Sequence, residues 1–519
     1  MQIDFKKETL PVSELNWHQT IPLLVEGDVI VPDIKPDIGE ILLTEATPAI
    51  TYEEASGNQL NFSGNIALRI VYLPEESGSG PKSIETSFAF KESFTLPAET
   101  LSNIHIKAVT KHIEFSLINS RKLNVKVILG INGRGFLKKE WELLTDVGED
   151  CPLKIRKKNI STYQVVADTK SDIMITETLE LPPTKPEIEE IIKLDVKAVK
   201  GDCKITDGRI LLKGGLMINT LYCSTDGEEG LQRTEHELLF SEIKEIEGLT
   251  ENCLCNVNYS VKKVFYSVKE DGDGEDRIIA LDVVLQADII ASCTHDITVI
   301  DDCYSTVGES LVETRPILLD ELLSEGVSQK NIKEILTVPE NVPMAGAVYS
   351  LQCMPQIQEI KIEQDKLVLC GNLTAFVLYG CVDAEHPMYS LVGEFNFEHI
   401  VPVEGVNEQT LCECSVTEQG VSFTLNAASE IELRCVLEFY VRAVAKREIT
   451  FITGCEIAEE STEAPHRSMV IYFAQQNDTL WDVAKHYKTD QEKIIQLNKL
   501  ENKNLLPGQK ILIPGPGRS

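Results

Sequence analysis

Lys35-Pro36-Asp37-Ile38-Gly39-Glu40-Ile41-Leu42 returns 150 residues later as Lys185-Pro186-Glu187-Ile188-Glu189-Glu190-Ile191-Ile192. A weaker third form, Gln329-Lys330-Asn331-Ile332-Lys333-Glu334-Ile335-Leu336, follows after another 144 residues. Self-similarity at a long, nearly fixed period marks a structural unit used more than once. A second landmark trails each copy: Gly64…Tyr72, Gly214…Tyr222 and Gly371…Tyr379, always glycine to tyrosine over eight residues. The two landmarks lie 29 residues apart in the first two copies and 42 apart in the third. The difference implies an insertion of 13 residues in the third copy, around Pro339–Gln352.

Within each copy the apolar pattern is that of strands. Leu123-Asn-Val-Lys-Val-Ile-Leu129 and Ile431-Glu-Leu-Arg-Cys-Val-Leu437 alternate with period two, as do Phe88-Ala-Phe90 and Phe395-Asn-Phe397. Such strands with frequent turns predict a mainly β chain of tandem, sandwich-like or barrel-like repeats. The prolines at 32 and 36 predict an extended arm followed by one or two helical turns. The expected units are 1–150, 151–310 and a weaker 311–455. An acidic linker over 456–468 then leads to a C-terminal module at 469–514 and a tail at 515–519.

The module reads strand, helix, helix, strand (βααβ), a small α+β domain. Met469-Val-Ile-Tyr-Phe473 is an apolar strand, and Asn477-Asp478-Thr479 is a turn that also caps a helix. Leu480, Val483, Ala484 and Tyr487 form the apolar stripe of that helix. Thr489 or Asp490 caps the second helix, and Pro507-Gly508 turns the chain into Lys510–Pro514.

These residues carry two resemblances. The Asp478-Thr479-Leu480 turn, Ala484, Tyr487, Asn498 and the Pro507-Gly508-Gln509…Ile513-Pro514 close resemble a LysM domain, with Asn477 where that family usually has glycine. The Val31-Pro-Asp-Ile-Lys-Pro-Asp-Ile38 arm and the Gly–Tyr strand resemble the SPOCS domain of spore coat and cortex proteins. SPOCS copies followed by one LysM domain are similar to the SipL-type family of spore coat morphogenetic proteins. That resemblance implies a non-enzymatic scaffold in the mother-cell cytoplasm, recruited to the forespore surface. It implies a LysM domain that binds a coat morphogenetic ATPase (SpoIVA-like), with other coat proteins as further partners. The alternative is peptidoglycan (N-acetylglucosamine) binding in the cortex or cell wall, through the loops Asn477, Asp478, Thr479, Leu480 and Asn504, Pro507, Gly508, Gln509. For the protein partner, strand alternation places Ile471, Phe473, Ile511 and Ile513 inward and turns Val470, Tyr472 and Leu512 outward. Trp481 lies about 100° from Leu480 around its helix, off the core stripe. Val470, Tyr472, Trp481 and Leu512 are therefore the expected partner-binding residues.

Charge narrows the partners further. The 519 residues carry a formal charge of −33; residues 469–519 are net +2, so the body before them holds −35. Such a body repels nucleic acid and anionic lipid. Met1–Glu8 has no apolar signal-peptide core and no stretch approaches 18 apolar residues, so neither export nor membrane insertion is expected.

Nothing in the sequence resembles a catalyst, and no cofactor or metal is expected. Cys253-Leu-Cys255 and Cys412-Glu-Cys414 lack ligand spacing. They fall opposite Ile104-His-Ile106 of the first copy when counted from the landmark glycines, so they read as inward, reduced strand residues. Asp271-Gly-Asp-Gly-Glu-Asp276 lacks the sixth-position glycine and twelfth-position glutamate of a calcium loop and reads as a hairpin turn. His295-Asp296, close to Cys293, reads as a solvated strand end.

Overall fold

The computed structural model describes residues 3–76, 80–98, 101, 103–148, 151–224, 231–382, 388–427, 429–458, 469–500 and 504–515. The first repeat comprises β1 (Phe5–Ile30), β2 (Ile38–Ser56), β3 (Gln59–Pro74), β4 (Lys82–Thr95), β5 (Asn103–Asn119) and β6 (Lys122–Val147). The second comprises β7 (Leu153–Glu180), β8 (Ile188–Lys200), the short β9 (Lys204–Thr206), β10 (Arg209–Ser224), β11 (Leu231–Glu245), β12 (Leu254–Glu270) and β13 (Asp276–Ser305). The third comprises β14 (Glu309–Thr337), β15 (Ala345–Glu363), β16 (Lys366–Cys381), β17 (Met388–Pro402), β18 (Leu411–Ala427) and β19 (Glu430–Ala458). The module holds β20 (Met469–Phe473), α1 (Leu480–His486), α2 (Gln491–Asn498) and β21 (Lys510–Pro514). The chain is mainly β. Because β19 runs to Ala458, most of the span read as a linker, and the tail beyond Gly515, lies outside the described residues.

Each repeat is a sandwich of two antiparallel sheets, β1-β6-β5 on β2-β3-β4 in the first, with the same plan in the others. Alternate residues of β3 (Leu60, Phe62, Ile66, Leu68, Ile70) meet alternate residues of β6 (Leu123, Val125, Val127, Leu129, Ile131) in one core. This is the inward half of the period-two pattern, buried where two sheets face each other.

The first and last strands of each repeat pair beyond their sandwich, and the three pairs pack together into a stalk. Its core joins Leu10, Val12 and Leu143 to Ile160, Ile297 and Val299, and to Ile317, Leu319 and Phe451. Away from the stalk, Leu42 and Val71, Ile192 and Leu221, and Leu378 and Met388 bring the meander sheets of all three repeats together. Between these contacts lies a polar cavity of about 870 Å³, lined by residues of all three repeats.

The landmark tyrosines explain the repeat. Tyr72, Tyr222 and Tyr379 are fully buried, and each hydroxyl donates to a proline carbonyl 36 residues earlier: Pro36, Pro186 and Pro343, at 2.9 Å in every case. The arm of the third copy is therefore Val338-Pro339-Glu340-Asn341-Val342-Pro343, which carries both prolines. This corrects the expected insertion. Val342 stands 29 residues before Gly371, as Lys35 does before Gly64, so the 13 residues read as inserted include the arm itself. Gln329–Leu336 belongs to β14. A second correction concerns the helical turns expected after the arm, where the chain enters β2, β8 and β15 directly. β-bulges between Ile38 and Glu40 and between Ile41 and Leu43 interrupt the two-residue alternation, so Ile38, Ile41 and Leu42 mimic helical spacing.

Gly64 and Gly371 need to be glycine. A Cβ at either would fall 2.2 Å from a neighbouring strand's carbonyl oxygen (Ala49, Gln356) and 2.5 or 2.4 Å from the cross-strand ring (Phe90, Phe397). The aromatic ring lies over the bare backbone and fills the space a side chain would take.

Candidate functional site

The module builds its site from two caps and one bridging side chain. Thr479 caps α1, accepting from the Asp482 amide at 3.1 Å, and Asp490 caps α2, accepting from the Glu492 amide at 2.9 Å. Asn477 adopts a left-handed φ of 73°, the conformation that glycine supplies in the resembling family. Asp478 closes this turn by accepting from the Gln475 amide at 2.7 Å and from the Tyr472 hydroxyl. Asn498 joins α2 to the sheet: its amide donates to the Leu512 carbonyl at 2.6 Å while its carbonyl accepts from the Leu512 amide at 2.7 Å. The loops at Asn477–Leu480 and Asn504–Gln509 meet through a β-bridge between Thr479 and Asn504. Asn477, Thr479, Asn504, Pro507 and Gly508 are exposed there, Asp478 and Gln509 are half-buried, and Leu480 is buried in the core.

The face chosen from alternation is corrected in β20. Val470 pairs with Ile513 and Tyr472 with Ile511, and these four residues face the module's core. The outward residues are Met469, Ile471 and Phe473, the last two 55% and 57% exposed, with half-buried Leu512 opposite Ile471. The inward placement of Ile511 and Ile513 holds. Five residues of alternating apolar character fit either phase of a strand, and here the Tyr472–Asp478 bond and the Tyr472–Tyr487 ring contact (5.9 Å) select the phase.

Trp481, expected off the stripe of Leu480, Val483 and Ala484 and open to a partner, is instead only 8% exposed and belongs to the same buried cluster. The stalk of the second repeat covers it. Its indole Nε1 donates to Asp302 Oδ2 at 2.7 Å, and its ring meets Tyr304 edge-on at 4.9 Å. The Arg156 guanidinium lies 5.6 Å from the indole centre. Lys485 Nζ reaches Asp302 Oδ1 at 2.7 Å, Lys154 pairs with Asp490, and the buried Tyr304 hydroxyl donates to the Thr489 carbonyl at 2.7 Å. Burial alone would raise the Asp302 carboxyl; the bonds from Lys485 and Trp481 outweigh it and hold the group below the ordinary aspartate range. Sequence reasoning missed Lys154, Arg156, Asp302 and Tyr304 as a docking surface. Asp302 lies 179 residues from Trp481, and no local pattern signals that contact.

One cysteine expectation is overturned. Cys253 is joined to Cys293 in a disulfide. Counting from the glycines put the alignment two residues out. Ile104 pairs with Gly135, Cys255 with Ala291 and Cys412 with Ala443, so Cys255 rather than Cys253 shares the strand position of Ile104. Cys255, Cys412 and Cys414 are free thiols packed against the sandwich cores. The Asp271–Asp276 segment is a hairpin turn whose lead carboxylate accepts from its own loop, from the amides of Asp273 (2.9 Å) and Glu275 (3.1 Å). His295 and Asp296 lie within the stalk strand β13, where Asp296 accepts from Ser161.

Comparison with known families matches residues 187–269 and 345–426 to the SPOCS domain of SipL, and residues 473–514 to the LysM domain. The order of these matches, two SPOCS domains and then one LysM domain, is that of the SipL-type architecture. The SPOCS matches span β8–β12 and β15–β18, the segments whose counterpart in the first repeat is β2–β5. Both families are non-catalytic binding domains, and together they point to a sporulation and coat-related adaptor with a LysM module. No curated protein and no solved structure matches the chain. No helix among the described residues is long and apolar enough to cross a membrane.

Proposed function

We propose that this SipL-type chain is a non-enzymatic scaffold of the spore coat, acting in the mother cell at the forespore surface. Its LysM module captures a coat morphogenetic ATPase (SpoIVA-like). The observation that carries this reading is the orientation of the docked module. The stalk holds one side through Trp481, while the outer sheet face with Met469, Ile471, Phe473 and Leu512 remains open. Three exposed large apolar residues on so small a sheet form a patch of the kind protein partners cover. The partner surface is accordingly reassigned from Val470 and Tyr472 to Ile471 and Phe473, with Leu512 retained. Trp481 acts indirectly, by fixing how the face is presented. In co-purification with the ATPase, Ile471→Glu and Phe473→Glu are expected to weaken capture by roughly tenfold or more, as for a central apolar anchor. Circular dichroism of the same variants should stay unchanged. Undiminished capture by the double variant would exclude this face.

A second reading has its own support. The Thr479–Asn504 bridge sets the two glycan-type loops side by side, as N-acetylglucosamine recognition would require. Binding of the full chain to purified peptidoglycan, lost on Asn504→Ala and Gln509→Ala but retained in Ile471→Glu, would favour it over protein capture.

A further inference from the structure

Cysteines meet in pairs across this fold in ways the linear sequence hides. Cys303 of β13 neighbours Cys455 of β19 between repeats, and Cys353 of β15 neighbours Cys435 of β19 between the two sheets of the third sandwich, all four as free thiols. All four of those residues are buried. Cys203 and Cys255 form a different kind of pair. Cys203 sits in the connection between β8 and β9, and Cys255 on β12, so they link opposite sheets of the second sandwich. Cys203 Sγ donates to the Cys255 backbone carbonyl at 3.9 Å, which sets the two side chains next to each other. Both are only half-buried. Lys200 stands three residues before Cys203, its ammonium tied to Asn256 Oδ1 at 3.0 Å, next to Cys255. Two residues before Cys255, β12 is already tied to β13 by the Cys253–Cys293 disulfide.

We infer that Cys203 and Cys255 are an oxidisable dithiol that reacts with low-molecular-weight disulfides and closes into a cross-sheet bond. Cys203 is the attacking sulfur. The adjacent Cys255 thiol, aided by nearby Lys200, holds the Cys203 thiol below its ordinary range, and the Cys203 side chain together with burial pushes Cys255 up. A thiolate with an adjacent resolving thiol is the arrangement that exchange requires. The Cys203 thiolate attacks one sulfur of the external disulfide, forming a mixed disulfide and expelling one thiolate, which takes up a proton. Cys255 then gives up its proton and attacks Cys203 Sγ, forming the Cys203–Cys255 bond and expelling the second small thiol. The protein loses two hydrogens, and the external disulfide is reduced to two thiols. The product straps β12 to the opposite sheet, beside its existing link to β13.

The test uses the full-length folded chain and oxidised glutathione, with alkylation and peptide mass mapping over time. A cross-linked peptide containing Cys203 and Cys255 is expected, forming roughly tenfold faster than any adduct at half-buried Cys412. Cys303, Cys455, Cys353 and Cys435 should stay alkylatable after denaturation. Cys255→Ser should trap glutathione on Cys203, with circular dichroism reporting that the variant is folded. The inference is overturned if Cys203 reacts no faster than Cys412. It is equally overturned if the mixed disulfide at Cys203 persists while Cys255 is present.

Discussion

Two polar interfaces, one where the repeats meet and one where the module docks, use the same residue types under different solvation. Between the repeats, Lys193 of β8 is 2% exposed and pairs with Glu45 of β2 at 2.7 Å and Asp195 at 2.9 Å. Arg69 of β3 adds contacts to Glu45, Asp195 and the Leu194 carbonyl at 3.4, 3.2 and 3.1 Å. Beneath the module, Asp302 gathers Trp481 and Lys485, but the Lys485 side chain remains 41% exposed. Desolvation decides what each arrangement does. The inner network leaves a stranded charge if any member is lost, so it specifies how the repeats assemble. The outer one holds the module in place and leaves both its outer sheet face and its loops open.

The largest effect is therefore expected inside. Lys193→Ala leaves Glu45 and Asp195 to share Arg69, their remaining ion-pair partner among the described residues, and should cost about 3–5 kcal/mol of stability. The urea midpoint of the full chain measures it. A loss below about 1 kcal/mol would mean that the inner network is solvated like a surface pair, and the contrast between the interfaces would collapse.

Asp302→Ala should cost less and act locally. It removes the acceptor of both the indole and the ammonium, about 2 kcal/mol of docking for two charge-assisted bonds at a half-buried site. Hydrogen exchange should quicken in residues 300–305 and at the start of α1, and stay unchanged in the sandwich strands. Slower exchange in both segments, or none of this change, would show that Asp302 does not hold the dock. Smaller again is Tyr222→Phe, which takes the donor from one half-buried proline carbonyl and should lower stability by about 1 kcal/mol. Tyr72→Phe and Tyr379→Phe should match it, because the three bonds are geometrically the same.

How much of this was legible in the sequence follows from the range of each signal. The period-two strands, the repeated Gly–Tyr unit and the βααβ order of the module are local patterns, and they appear as read. Features that depend on phase or on distant partners do not. Bulges after the arm imitated a helix at Ile38, Ile41 and Leu42. The third arm was misplaced because Lys-Glu-Ile-Leu in β14 resembles the true motif more closely than Val338–Pro343 does. A two-residue slip hid the Cys253–Cys293 bond. In the candidate site the two loops lie side by side, but β20 was read in the wrong phase, and Trp481, expected outside the core stripe, is buried with the module's core against the stalk.

The least effect at neutral pH, and the most selective test of the contrast, comes from acid. Asp302 and Asp490 both anchor the module to the stalk, and both carboxyls are held below the ordinary range. Burial opposes that shift, while Lys485 and Trp481 for Asp302, and Lys154 for Asp490, outweigh it. A carboxyl depressed in the docked state contributes stability that is fully present above its unbound value, near 3.8, and is lost as pH falls through the docked value. Protonation of the two carboxyls takes the counter-ions away from Lys154 and Lys485. Docking should then be indifferent to pH from 7 down to about 4 and loosen below that. Exchange rates in residues 300–305 and 480–487, corrected for the intrinsic effect of pH, would follow it. Asp302→Asn should flatten most of the acid dependence, because an amide keeps an acceptor for the Trp481 indole and cannot titrate. An unchanged acid profile in that variant would shift the pH response to Asp490 and its pairing with Lys154.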